Sequence, residues 1–130
     1  MEEPARWHGH LRSDWDATKE LAREILRRQA ALPSPTISYS ALAARLAPVR
    51  FEPDDHGFHA MLGEISTEED DEGHGMLSVL VVHKTGDLQP GPGFFQLAAS
   101  RGRDICDPMK VWIDEFNAVT TFWRGRSLEG

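Results

Sequence analysis

At 130 residues, with 40% apolar and 27% charged side chains, the chain has the length and composition of one ordinary globular domain. No run nears the roughly 18 apolar residues of a membrane helix. The amino terminus lacks a secretory leader's basic and apolar regions, and a single cysteine, Cys106, excludes an internal disulfide. The expectation is a cytoplasmic protein with no membrane partner.

Residues 1–12 read as a flexible arm with Trp7 and Leu11 as anchors, and residues 13–130 as one domain. Ser13, with Asp16 three positions on, has the spacing of a helix start. Trp15, Leu21, Ala22, Ile25, Leu26 and Gln29 then form a helical stripe, with Arg23, Arg27 and Arg28 toward the other side. Pro33-Ser34-Pro35 ends this helix, because proline has no amide hydrogen for the ladder. Thr36 to Ser38 reads as a short extended entry, followed by a small helix over about 40–46. Asp54 or Asp55 can cap a third helix whose apolar residues Phe58, Met61, Leu62 and Ile65 recur at i, i+3, i+4 and i+7. Glu68 to Gly73 reads as a solvated, mobile charged loop, and Met76 to His83 as a buried strand. Lys84 to Asp87 form a turn. Gly91-Pro92-Gly93 leads to a short helix closed by Gly102, and either a Pro-rich turn or an anion-binding loop accounts for its glycines. Pro108 suits the first turn of a last helix carrying Trp112, Phe116, Val119 and Trp123 along one face.

This order (helix, short connection, helix, strand, Gly-rich turn) predicts an α+β fold, a winged helix-turn-helix core with an extra helix at each end. The net charge of −7 argues against a general nucleic-acid binder, since Lys and Arg supply most non-specific affinity for phosphate. Its distribution is uneven. Residues 1–50 hold eight Lys/Arg against six Asp/Glu, residues 51–75 none against nine, and residues 76–130 six against six. A DNA-facing surface from residues 12–50 and 84–103 remains open, with Arg45, Arg50 and Lys84 available to phosphates.

The segment Thr36 to Gly102 resembles the DNA-binding domain of the O6-alkylguanine-DNA alkyltransferases and the alkyltransferase-like proteins. Ile37-Ser38-Tyr39 and Leu42-Ala43-Ala44 match the opening of that family's helix-turn-helix. The resemblance implies that Tyr39 presses the DNA backbone at the target nucleotide. Ala60-Met61-Leu62-Gly63 matches the recognition helix, which puts His59 where the family has an arginine that fills the place of a flipped base. Aligned without gaps, Met76 to Gly86 puts Ser78 at the position of the reactive cysteine, with Val79 and Leu80 in place of the flanking histidine and arginine. Alkyl transfer needs a thiolate activated by a neighbouring base, so this activity is not expected.

The DNA-facing set is thus Tyr39, Ser40, Arg45, His59, Ser78 and Lys84, on double-stranded DNA and without catalysis. The alternative is a protein-interaction module that reuses the fold and offers the acidic segment 64–72 to a basic partner. No cofactor is expected. Six histidines raise the question of a metal, but zinc needs three or four ligands converging at about 2.0–2.3 Å. The chain has neither a His-Glu-x-x-His nor a paired-cysteine spacing, so no metal site is expected.

Overall fold

The amino end departs from the expected arm. In the computed structural model, which describes residues 6–83 and 92–129, the chain forms a hairpin of β1 (Arg6–Trp7) and β2 (His10–Leu11). The two strands are antiparallel, with Arg6 opposite Leu11 and Trp7 opposite His10. His8 and Gly9 turn it with φ of 52° and 84°, the pattern of a type I′ turn, whose hand matches strand twist. The Trp7 and Trp15 indoles donate to the two oxygens of Glu64, at 2.6 and 3.0 Å, and tie the hairpin to the domain.

Helix α1 runs over Arg12–Ala30, one residue ahead of Ser13, and Leu11 rather than a serine stands at its cap. Trp15, Ala22, Ile25, Leu26 and Ala30 are buried along it, whereas Leu21 is exposed because it sits about 100° round the helix from Ala22. Arg23, expected on the outer side, is buried against a later helix. Beyond the helix, Gln29 donates to the Ser34 and Thr36 carbonyls and closes the proline turn.

β3 (Ile37–Ser38) leads directly into α2 (Tyr39–Ala44), and the Ser38 hydroxyl accepts from the Ala41 amide at 3.1 Å as its cap. Helix α3 spans His56–Asp71, and Phe58, Met61, Leu62 and Ile65 are all buried, as their spacing predicts. The charged segment 68–72 is not a mobile loop. It forms the last turn and cap of α3, closed by Gly73 at φ 84° with Gly73 and His74 amides bonded to Asp70 and Glu69 carbonyls.

The strand expected over Met76 to His83 is mostly a 3-10 turn, Leu77–Leu80, with only Val81–Val82 extended as β4. Every residue from Met76 to Val82 is buried, so the run is apolar for burial on all sides rather than for one sheet face. β4 pairs in parallel with β3, Ile37 opposite Val81 and Ser38 opposite Val82. The expected turn at 84–87, Lys84 included, lies outside the described residues. α4 (Pro92–Ser100) ends at Gly102, φ 90°, and α5 covers Pro108–Glu129 with Pro108 at its first position.

The described residues thus form five α-helices with two short strand pairs, a mixed arrangement compatible with the α+β class. One core joins Trp15 and Leu26 of α1, Leu42 of α2, Phe58, Met61 and Ile65 of α3, the 3-10 turn, Phe94 and Ala98 of α4, and Val119 of α5. Trp112 secures α5 by donating from its indole to the Val79 carbonyl at 3.1 Å. Among the described residues no helix is long and apolar enough to cross a membrane.

Candidate nucleic-acid interface

Three of the six residues expected to face DNA meet around one cavity. β3 delivers Tyr39 to the start of α2, the apolar face of α3 fixes the opposite His59, and the 3-10 turn sets Ser78 beneath them. With Leu62, Phe94 and Leu97 as apolar wall and Gly63 and Gly93 at its edge, they enclose about 110 Å³. The Tyr39 ring is buried and stacks on His59, with centroids 5.0 Å apart and planes at 29°. His83 lies tilted against the same ring with centroids 5.1 Å apart, and Phe58 meets it edge-on at 6.3 Å. His59 Nε2 donates to the Pro53 carbonyl at 3.0 Å, which fixes the exposed ring over the cavity.

The Ser78 hydroxyl accepts from the Ser66 hydroxyl at 2.6 Å, and the Ser66 oxygen in turn accepts from the Ser78 amide at 2.8 Å. A hydroxyl carries one donor and two acceptor sites, so Ser78 keeps its own proton to donate. Among the described residues its hydrogen-bond partner is another serine rather than an imidazole or carboxylate.

Ser40 and Arg45 do not join the cavity. Ser40 lies 3.3 Å from the Ser38 hydroxyl at the start of α2, and Arg45 is exposed at its end. Lys84 lies outside the described residues. Two groups that sequence reading left out support the cavity: Ser66, which orients Ser78, and the α4 wall of Phe94 and Leu97. Ser66 had a signal, since it lies four positions after Leu62 and so in phase with the buried stripe.

The acidic segment is largely spent inside the molecule. Lys19 binds Glu64 at 3.2 Å and Glu68 at 2.8 Å; Arg23 binds Glu68 and Glu69. Arg27 and His74 also meet Glu69, and Arg101 and Arg103 hold Asp70, with Arg101 reaching Asp71 as well. Five of the nine carboxylates in 51–75 are therefore neutralised by cations that are distant in sequence. Burial raises the pKa of Glu64, Glu68 and Glu69, but hydrogen bonds from the indoles, from His74 and from Lys19, Arg23 and Arg27 outweigh it and lower all three. Asp70, held first by Arg103, falls to about 2.

The same ledger identifies the uncommitted cations. Among the described side chains, Arg45, Arg50 and Arg124 lack a carboxylate partner; Arg50 and Arg124 donate to the Leu46 and Leu32 carbonyls. Arg45 and Arg50 both lie in the stretch that joins α2 to α3. Among the described residues no group of three or more His, Cys, Asp or Glu is placed to hold a metal ion. No family model, curated protein or solved structure matches this chain.

Proposed function

We propose that the protein is a non-enzymatic DNA-binding protein of the alkyltransferase-like type, a winged helix whose helix-turn-helix is α2 and α3. The observation that carries this reading is the convergence of Tyr39, His59 and Ser78 on one cavity, since the resemblance picks the three from separate segments. A volume of about 110 Å³ is well below the roughly 300–1,000 Å³ of pockets for drug-sized ligands. It suits one planar ring: an extruded base stacked beside the His59–Tyr39 pair and receiving a hydrogen bond from Ser78. Arg45 and Arg50, free of carboxylates, are the groups for flanking phosphates. The serine pair supports binding without chemistry. A regulatory, damage-sensing or accessory role follows from recognition without a nucleophile.

The acidic interaction module has less support, because most of the charge in 64–72 is already bound to Lys19 and to Arg23, Arg27, Arg101 and Arg103. Fluorescence polarisation with a plain duplex and one bearing O6-alkylguanine, at low and physiological salt, tests the DNA reading. Affinity should fall steeply with salt, and Arg45→Gln should reduce the slope of log K against log salt by about 1. His59→Ala should reduce any preference for the lesion while leaving that slope unchanged. Absence of binding to both duplexes at low salt would overturn the reading.

A further inference from the structure

We propose that the cleft between the N-terminal hairpin and the start of α3 is a phosphate-binding site, separate from the Tyr39 cavity and sharing only Arg50 with the DNA reading. The cleft has a volume of about 280 Å³ and gathers His8 and His10 of the hairpin, Arg50 of the α2–α3 connection and His56 at the first position of α3. These groups have donors to spare. The His8 and His10 rings lie near-parallel to Trp15 at 5.0 and 6.2 Å, His10 meets Phe51 edge-on at 5.9 Å, and His56 lies 6.4 Å from His8. None of the three imidazoles has a hydrogen-bond or ion-pair partner among the described residues. The hairpin rings are thus held by their faces, leaving their nitrogen edges free to donate. Arg50 uses one of its five N–H groups on the Leu46 carbonyl, and no carboxylate engages it.

The surrounding backbone fits the same ligand. Asp55 stands at the α3 cap position, but its carboxylate accepts from the Glu52 amide at 2.8 Å instead of capping, so the first-turn amides of α3 have no side-chain partner. Gly57 also lines the cleft, and it packs closely on Phe51, since a Cβ there would sit 3.3 Å from that ring. His8 holds φ 52° at the hairpin turn, a conformation that costs energy outside glycine, and lines the cleft. A tetrahedral dianion or a phosphodiester takes donors from several directions, as this set supplies them. Asp55 is the opposing charge in the lining, and its substitution tells the sign of the ligand: a cation site would rely on Asp55, whereas a phosphate site is weakened by it.

The test follows the imidazole C–H resonances of His8, His10 and His56 during titration with inorganic phosphate at constant ionic strength, against chloride as control. A dinucleotide with one internal phosphodiester forms a parallel arm, and the tighter ligand tells a terminal phosphate from a bridging one. Saturable shifts of all three residues are expected. Arg50→Gln should weaken binding about tenfold or more through loss of a charge-assisted bond. Asp55→Asn, which keeps an acceptor for the Glu52 amide, should tighten it several-fold. Absence of saturable shifts with either ligand, or tightening by Arg50→Gln, or weakening by Asp55→Asn, would overturn the proposal. The duplex measurements on Arg45 and His59 are unaffected by that failure.

Discussion

Replacing Glu69 with alanine is expected to destabilise the protein by about 3–5 kcal/mol, the usual cost of removing one partner from a buried ion pair. Glu69 is 1% exposed, and its carboxylate is shared by Arg23, Arg27 and His74. Arg23 is itself buried, so the substitution removes one of the counter-charges of a guanidinium in a site that water does not reach freely, and it takes from Arg27 the carboxylate it binds at 2.5 Å. Glu68, the stronger partner of Arg23, and Glu20 remain in place and set the lower end of the range. A domain of this size has total stability on the order of 5–15 kcal/mol, so the loss is a large fraction of the whole. Urea unfolding should show a much lower midpoint with an unchanged slope. A midpoint within measurement error of the wild type would refute the role given to this carboxylate. Glu69→Gln, which preserves shape and one acceptor, should lie between the two.

Acid should remove much of the same stabilisation in the wild-type chain. Glu64, Glu68 and Glu69 all have folded-state pKa values below their usual ones, and Asp70 is lowered to about 2 by Arg103, against its burial, with Arg101 assisting. A depressed carboxylate pKa contributes stability that is complete above the unfolded value near 4 and is lost as pH falls through the folded value. Asp70 alone accounts for about 2 kcal/mol of this, because its folded value of about 2 lies well below the ordinary one and its side chain is only 15% exposed. The melting temperature should therefore fall steeply between pH 5 and 2, and Asp70→Asn should flatten that dependence while lowering stability at neutral pH. A melting temperature that stays level from pH 5 to 2 would contradict the pairings. These groups lie on α1, α3 and the α4–α5 connection, so acid acts on the frame that carries the Tyr39 cavity rather than on the cavity alone.

The elements that announced themselves in the sequence are those whose burial is written in apolar residues. Phe58, Met61, Leu62 and Ile65 marked α3, and Pro108 with its aromatic series marked α5. What escaped was burial achieved by polar residues. Ser66 and Glu69 continue the inward stripe of α3, but Glu69 stands in a run of five acidic residues that reads as solvated until its partners are known. Its arginine partners lie 42 to 46 positions away in α1, a separation no local pattern reports. The hairpin was missed for a different reason. Two-residue strands carry no periodicity, and His8-Gly9 looks like a turn only when both φ angles are known to be positive.

For the candidate site, Tyr39, His59 and Ser78 were reached through resemblance, and geometry then joined them. Charge totals misled in the opposite sense. A segment with nine acids and no Lys or Arg looked hostile to phosphate, yet five of those acids are matched by distant cations, leaving Arg45 and Arg50 unclaimed nearby. A sum along the chain cannot distinguish a surface charge from one consumed in packing.

The parallel pairing of β3 with β4 joins residues 44 positions apart through a ladder only two residues long. Closing a loop of that length costs about 3 kcal/mol in chain entropy, more than so short a ladder returns alone. The pair therefore cannot act as a folding nucleus. It is expected to form after α1, α3 and the 3-10 turn have brought the ends together, and a φ-value near zero for Ile37→Val would record that order. Tyr39 follows β3 directly, so the wall it contributes to the cavity is among the last parts of the molecule to be set.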